Sequence, residues 1–517
     1  MLSADSRAPS VAQDGPACMG MTIVAGCAAL SLLHVGCESE FGGVATSGTT
    51  TTASSSTGIA KECELVEGMP IGSDCGIFVK ANATGGDGSQ AKPFGEMHSA
   101  VAAAGAGSRI YVCGSDTFQG ALSISSGVSI LGGLDCATWS FGATSAHPKI
   151  QSTPDVPALT IASGAATTKL ASVDFDAVAA TTKGTSSVAI FADGAALDLQ
   201  RVALTAGNGA PGADGTDAPA QATAAPGGAN GAVGCAMPPS GGPSSATNTC
   251  DDGASNGGKG GDGGLKPSSS GGNGNSGDMG TGAAAGLGEV NVGWTCSVGG
   301  VNGGTNPGNP GTDGPFGAGA GVTELGTLSA TGLQNAAGHD ATKGTKGVGG
   351  GGGGGSKATA VCNGAGGGSG GAGGCGGKLG LGGLGGGSTI GLLSKGSTVT
   401  LSEVTVSLGQ GGAGGKGGNG QLGQGGGAKG TGGLGGTVND ACDGGKGGRG
   451  GHGGSAGGGR GGHAIALMYS GPAPTGMPSV AIAGTGGSGG PGGTNGSDQG
   501  GMGANGIVAP SQETQAQ

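Results

Sequence analysis

Asp174 and Asp176, two residues apart in Val173-Asp174-Phe175-Asp176, have the spacing in this chain that most directly suggests chemistry. On an extended segment, residues two apart share a face, so both acids point outward while Val173 and Phe175 turn inward. Such a pair acts as general acid and base or as ligands for a hard cation. A solvated strand face is the plainer reading. A second candidate is Asp262, because Gly257 to Leu265 nearly reproduces the calcium-binding nonapeptide Gly-Gly-x-Gly-x-Asp-x-U-x. The match breaks at Gly264, where a large apolar residue belongs, and it stands alone, whereas such sites form between successive copies. No cofactor is expected, calcium at Asp262 being the one candidate.

The cysteines bear on where any chemistry takes place. Met19 to Gly36 is an apolar run preceded by one basic residue, Arg7, and followed at once by Cys37-Glu38-Ser39-Glu40. This is the pattern of an export signal. Two cysteines compete as the acylated residue of a lipoprotein. Val24-Ala25-Gly26-Cys27 is the better local lipobox, but cutting there leaves Leu30, Leu32, Leu33 and Val35 exposed at the start of the mature chain. Cys37 is therefore preferred and Cys27 is the alternative; an uncleaved membrane helix is a third reading. With Cys18, Cys27 and Cys37 set aside, an even ten of the thirteen cysteines remain, which in an exported chain points to disulfides. Neighbours in sequence pair most simply: Cys63 with Cys75, Cys113 with Cys136, and Cys235 with Cys250. Cys296, Cys362, Cys375 and Cys442 stay unassigned. Zinc is a poorer reading, since no Cys-x-x-Cys occurs and the six histidines are scattered.

The elements that must position these residues come from a duplication. Leu197, Leu199, Val202 and Leu204 alternate with polar or small residues before Gly207, Gly209, Gly212 and Gly215; Val399, Leu401, Val404 and Val406 do the same before Gly409, Gly411, Gly414 and Gly417. A looser copy runs from Ile465 to Gly493. Each unit reads as short strands emptying into a glycine tract of period three. Upstream, Ile77 to Val79 reads as a strand, Pro93 to Ala104 as a short helix, and further strands follow at Ile110 to Val112, Ala121 to Ile124, Val128 to Leu131, Ala158 to Ile161, Leu170 to Phe175, Val188 to Phe191 and Leu197 to Leu204. The class is all-β. A parallel solenoid is favoured over a sandwich, because the glycine tracts leave the same point of each repeat.

Glycine supplies 136 of 517 residues, and it loses the most freedom on ordering. Collagen is excluded because strict Gly-X-Y and abundant proline are missing. Period three suits the extended left-handed helix of three residues per turn, several of which could bundle by backbone hydrogen bonds; disorder is the competing reading. The formal charge of −11 and the lack of a basic cluster exclude nucleic acid as a partner class.

The run Gly85-Gly86-Asp87-Gly88-Ser89, then Lys92-Pro93-Phe94, the alanine-rich helix and Arg109-Ile110-Tyr111-Val112 resembles the opening of right-handed parallel β-helix proteins of the pectate-lyase-like kind. Ser129 to Cys136 with Trp139, Gly374 to Gly377, Ser388 to Gly391 and Gly461 to Ile465 are similar to one bacterial branch, the glycine-rich exported proteins of PGRS type. The resemblance implies a right-handed parallel β-helix with long glycine-rich insertions, partly extended and polyglycine-like or disordered, and carries no catalytic mechanism. β-helix enzymes acting on polysaccharides use outward carboxylates, but the chain shows no Asn-Thr-Asp followed by an Asp-Asp pair with an associated Gly-His-Gly and Arg-Ile-Lys.

The expected organisation is a lipoprotein-type signal sequence at 1–36, a Gly/Ser/Thr tether at 37–60, β-helix turns with a capping helix at 61–206, a glycine-rich insertion at 207–387, a β-helix turn at 388–408, a glycine-rich loop at 409–461, a last turn at 462–484 and a glycine-rich tail at 485–517. The expected function is a non-enzymatic structural or adhesive protein, exported and lipid-anchored at a bacterial outer membrane or cell surface, with an extracellular polysaccharide or surface partner. The alternatives are a polysaccharide lyase or hydrolase working through Asp174 and Asp176, and a calcium-dependent binding module using Asp262.

Overall fold

The computed structural model describes residues 61–220, 223–237, 241–278, 283–291, 294–296, 314–321, 323–329 and 332–515. The signal sequence, the tether, Cys27 and Cys37 lie outside these residues. No helix among the described residues is long and apolar enough to cross a membrane.

The protein is all-β, with three six-stranded sheets whose strands pair in parallel. The first sheet contains, in order, Ile77–Lys80, Arg109–Cys113, Ser129–Leu134, Gly164–Ala171, Ala195–Gln200 and Thr398–Ser402. The second contains Thr117–Gln119, Lys149–Gln151, Asp174–Ala177, Ala203–Ala206, Thr405–Leu408 and Ser479–Ile482. The third contains Leu122–Ile124, Leu159–Ile161, Ser187–Asp193, Thr389–Lys395, Ala464–Ser470 and Val508–Glu513. From Arg109 to Ala206 the chain visits the first, second and third sheets in rotation. The helix Met97–Ala103 buries Met97 and Ala100 against the strands Ile77–Lys80 and Leu122–Ile124.

Alternation puts one row of side chains from every sheet into a common core. In the second sheet Phe118, Ile150, Phe175, Leu204 and Val406 sit opposite one another in register, all buried. The duplicated units are neighbours: Leu197 pairs with Val399 and Leu199 with Leu401 in the first sheet, and Leu204 with Val406 in the second. Two expected strands are each broken in two. Ser172 (φ 50°) and Arg201 (φ 51°) hold left-handed corners between sheets, as does Glu403 (φ 54°) in the later copy. These corners stack, with the Ser172 amide donating to Gln200 O and the Arg201 amide to Ser402 O.

Two further cores lie on the outer faces of the first and third sheets. At the N-terminal end Phe78 stacks on Tyr111 and meets Trp139 edge-on, beside the Cys63–Cys75 and Cys113–Cys136 disulfides. On the third sheet Phe191, Leu393 and Met468 are covered by a hairpin, Thr327–Ser329 with Gly332–Gln334, through Leu328 and Leu333. The expected insertion at 207–387 therefore contains strands, this hairpin and Thr247–Cys250 with Gly253–Asn256. The expected tail at 485–517 returns as well, since Val508–Glu513 pairs with Ala464–Ser470.

Among the described residues the glycine tracts are ordered and bonded to one another at every third residue. Gly209, Gly212, Gly215 and Ala218 donate to Gln410, Ala413, Lys416 and Asn419, so these segments run parallel; Gly412, Gly415, Gly418 and Gln421 donate to Gly387, Leu384, Leu381 and Lys378, so these run antiparallel. Equal steps of three on both partners are the repeat of the polyproline II helix. The contacts leave no space for a side chain: a Cβ on Gly412 would stand 2.1 Å from Ala210 O, and one on Gly459 would stand 2.0 Å from Leu384 O. Polar residues in the outer positions satisfy amides that the glycine ladder leaves over. Asn208, Asp214, Asp217 and Asn230 accept from the amides of Gln410, Lys416, Asn419 and Thr431.

This packing overturns one expected disulfide. Cys235 is bonded to Cys362 and Cys250 to Cys375, not to each other, and Cys296 is bonded to Cys442. Proximity in sequence fails here because the tracts bring distant segments together: the Cys235 amide donates to Asn363 O, and the Asn248 side chain donates to Gly373 O.

Candidate functional site

Asp174 and Asp176 do lie on one outward face with Phe175 buried between them. Each is held by neighbours on the second sheet. Asp174 Oδ1 accepts from the Ala203 amide at 3.0 Å and lies 2.9 Å from His147 Nδ1. Asp176 Oδ2 accepts from Gln151 Nε2 at 2.9 Å, with Lys149 Nζ at 3.9 Å, and Gln119 Nε2 donates in turn to Gln151 Oε1. The acids belong to a polar ladder that crosses adjacent strands.

Asp262 is paired with a cation of the chain itself. Its Oδ1 accepts from the Gly242 amide and lies 3.0 Å from Lys259 Nζ. The Gly242 amide does most to hold this carboxyl below its usual range, against partial burial and with help from Lys259. Among the described residues no three His, Cys, Asp or Glu side chains converge as a metal site.

A group of buried polar side chains occurs elsewhere, where the glycine bundle passes into the third sheet. In the central tract the amides of 445, 448, 451, 454, 457 and 460 donate in turn to Gly351, Val348, Thr345, Thr342, His339 and Ala336. The first five of these positions are glycine; the sixth is Arg460, and three residues on comes His463. A Cβ at Gly454 or Gly457 would collide with Pro315 O or Ala318 O, at 2.1 and 1.8 Å. The next carbonyl in that series is Gly321 O, and Arg460 Nη1 donates to it at 2.6 Å. Arg460 thus occupies the space left where the neighbouring tract turns away. It is 1% exposed, and its Nε has no hydrogen-bond partner. Burial lowers its pKa, and the nearby negative charge of Glu324 opposes that.

His463 is fully buried directly before the strand Ala464–Ser470. Its Nδ1 accepts from the Ile507 amide, so the proton sits on Nε2, which donates to Leu325 O at 3.0 Å. Burial pushes its pKa down to about 4. The loop over these two residues is closed by Glu324, which accepts from the Gly321 amide at 2.9 Å and meets His339 Nε2 at 3.3 Å. The Gly321 amide holds the Glu324 carboxyl below its usual range, with His339 assisting and burial opposing.

Above the loop opens a cleft of about 1040 Å³, lined by residues 323–327, 334–337, 339 and 512–515. Asp174, Asp176 and Asp262 do not line it. Its lining exposes more apolar than polar surface, with Leu325, Ala336 and Ala337 beside side-chain amides, hydroxyls, His339 and the carboxylates of Glu324 and Glu513. Arg460 and His463 carried a signal in sequence, the break in a glycine register kept five times before. The cleft carried none, since its walls come from segments well separated along the chain. Set against models of known protein families, curated proteins and solved structures, the chain finds no match.

Proposed function

We propose that this is a non-enzymatic structural or adhesive protein of a bacterial surface, exported and lipid-anchored through Cys37, and built as a right-handed parallel β-helix of PGRS type. The rotation of the chain through three parallel sheets supports the β-helix, since each circuit supplies one strand to every sheet. Five disulfides among the described residues support an oxidising compartment. The observation that carries the structural reading is the glycine bundle. Its helices touch backbone to backbone with no room for side chains, which makes a stiff body and leaves little surface for chemistry. The engagement of Asp174 and Asp176 in a ladder supports a load-bearing face over a catalytic one.

Purified protein incubated with acidic and neutral polysaccharides should release neither reducing ends nor unsaturated products. Release abolished by Asp174→Ala would establish the carbohydrate-active alternative instead. For the anchor, a palmitate label should be lost in Cys37→Ser; its retention there and loss in Cys27→Ser would move the acylation site to Cys27. A calcium-induced thermal shift lost in Asp262→Ala would establish the calcium-dependent module.

A further inference from the structure

We propose that His463 is an acid-released latch: protonation of its ring frees the strand Val508–Glu513 and uncovers the apolar outer face of the third sheet. The ring bridges two segments with opposite polarity. Its Nε2 donates to Leu325 O, just before the covering hairpin, and its Nδ1 accepts from the Ile507 amide, just before the strand. A second proton must sit on Nδ1, where it meets a donor instead of an acceptor. Ile507 O offers no relief, because it already accepts from the Ala464 amide. The bond to Leu325 survives protonation, since Nε2 donates in both forms. The bond to Ile507 does not.

The strand is built to yield. It is the edge of its sheet and pairs with Ala464–Ser470, and elements held on one side open at the lowest cost. Pro510 has no amide to give to the ladder, and Val508 is 51% exposed. Ile507 and Ala509 are only partly buried where they pack on the core beneath. Upstream the chain is fixed, because Gly503 and Gly506 donate to Gly490 and Gly487, and Gly461 donates to Ala504. Release therefore stops at the glycine tract. It uncovers Ile465 and Met468, both fully buried in the closed form, and leaves Ala464–Ser470 as an unpaired edge. Such a face adheres to an apolar surface or to another extended strand.

The charged groups around the ring do not duplicate its role. Arg460 lies on the same tract, and Glu324, paired with His339, lies on the loop. Lys395 and Glu513 stand at the far ends of the flanking strands. Burial brings the ring to about 4, the Leu325 bond opposing and the Arg460 charge assisting, against 6.5 for a released ring. Opening therefore gains as pH falls from 6.5 to 4 and levels off below, about a hundredfold in all. The Glu324 carboxyl, held below its ordinary 4.5, takes up its proton beneath most of that window.

The test is hydrogen–deuterium exchange of the whole oxidised protein from pH 7 to pH 3, corrected for the intrinsic pH dependence of exchange, beside an NMR titration of the histidine ring nitrogens. Peptides within 507–513 should lose protection about a hundredfold, mostly above pH 4, while those within 323–329 and 109–113 keep theirs. The His463 ring should titrate over the range in which the strand is released. His463→Gln keeps a donor and an acceptor without a titrating proton and should abolish the loss; Glu324→Gln should leave it in place. Equal loss in all three regions, protection of 507–513 retained at pH 3, or release that persists in folded His463→Gln would overturn the latch, as would its disappearance in Glu324→Gln. Should His463→Gln not fold, a ring in the parent protein that titrates outside the range of strand release overturns it equally.

Discussion

His463 shows how one buried side chain ties stability to pH. Its pKa is about 4 in the folded chain against an ordinary 6.5, so between these values the unfolded chain holds the extra proton. The contribution is complete above about pH 6.5 and is lost as pH falls toward 4, amounting to about 3 kcal/mol. Asp155 acts in a lower window. Burial disfavours its charge, but the amides and hydroxyls of Thr181 and Thr182 outweigh that and bring its carboxyl to about 2. Its contribution is therefore lost only as pH falls from 3.8 toward 2. Melting curves between pH 7 and pH 5 should show a decline in the parent protein that His463→Gln flattens. An unchanged slope in the variant would place the effect on other groups.

At the scale of elements, the glycine helices make an asymmetric prediction. Gly459→Ala sets a methyl 2.0 Å from Leu384 O and should cost about 3 kcal/mol or more, whereas Ala413→Ser, at an exposed outer position, should stay within about 0.5 kcal/mol. Comparable melting temperatures would mean the tracts do not pack this closely. Non-reducing peptide maps should recover Cys250 joined to Cys375, and a Cys235–Cys250 peptide would restore the local pairing. Strand alternation was legible in the sequence, because Phe175, Leu199 and Val406 each lie between more exposed neighbours. The corners at Ser172, Arg201 and Glu403 were not, since a left-handed turn is ordinarily announced by glycine or asparagine, and here side-chain and stacked backbone bonds hold other residues in it. The period of the tracts could be read, but their partners could not: any tract of period three fits any other, and the register is chosen by cysteines and by outer Asx residues far away in the chain.

For the whole molecule, the pairing of Leu199 with Leu401 makes the two copies parts of one core. Leu199→Asp and Leu401→Asp should each bury an uncompensated charge and lower a single shared unfolding transition. If Leu401→Asp leaves the melting of the N-terminal third intact, the core is not continuous. The hydrogen-bond rungs also restrict how such a gene can change. Because partner tracts advance together in steps of three residues, an insertion or deletion of any other length shifts every later rung and turns outer side chains into glycine positions. Length variation among descendants of this sequence should therefore come in whole triplets of codons and be matched in the tracts that lie alongside.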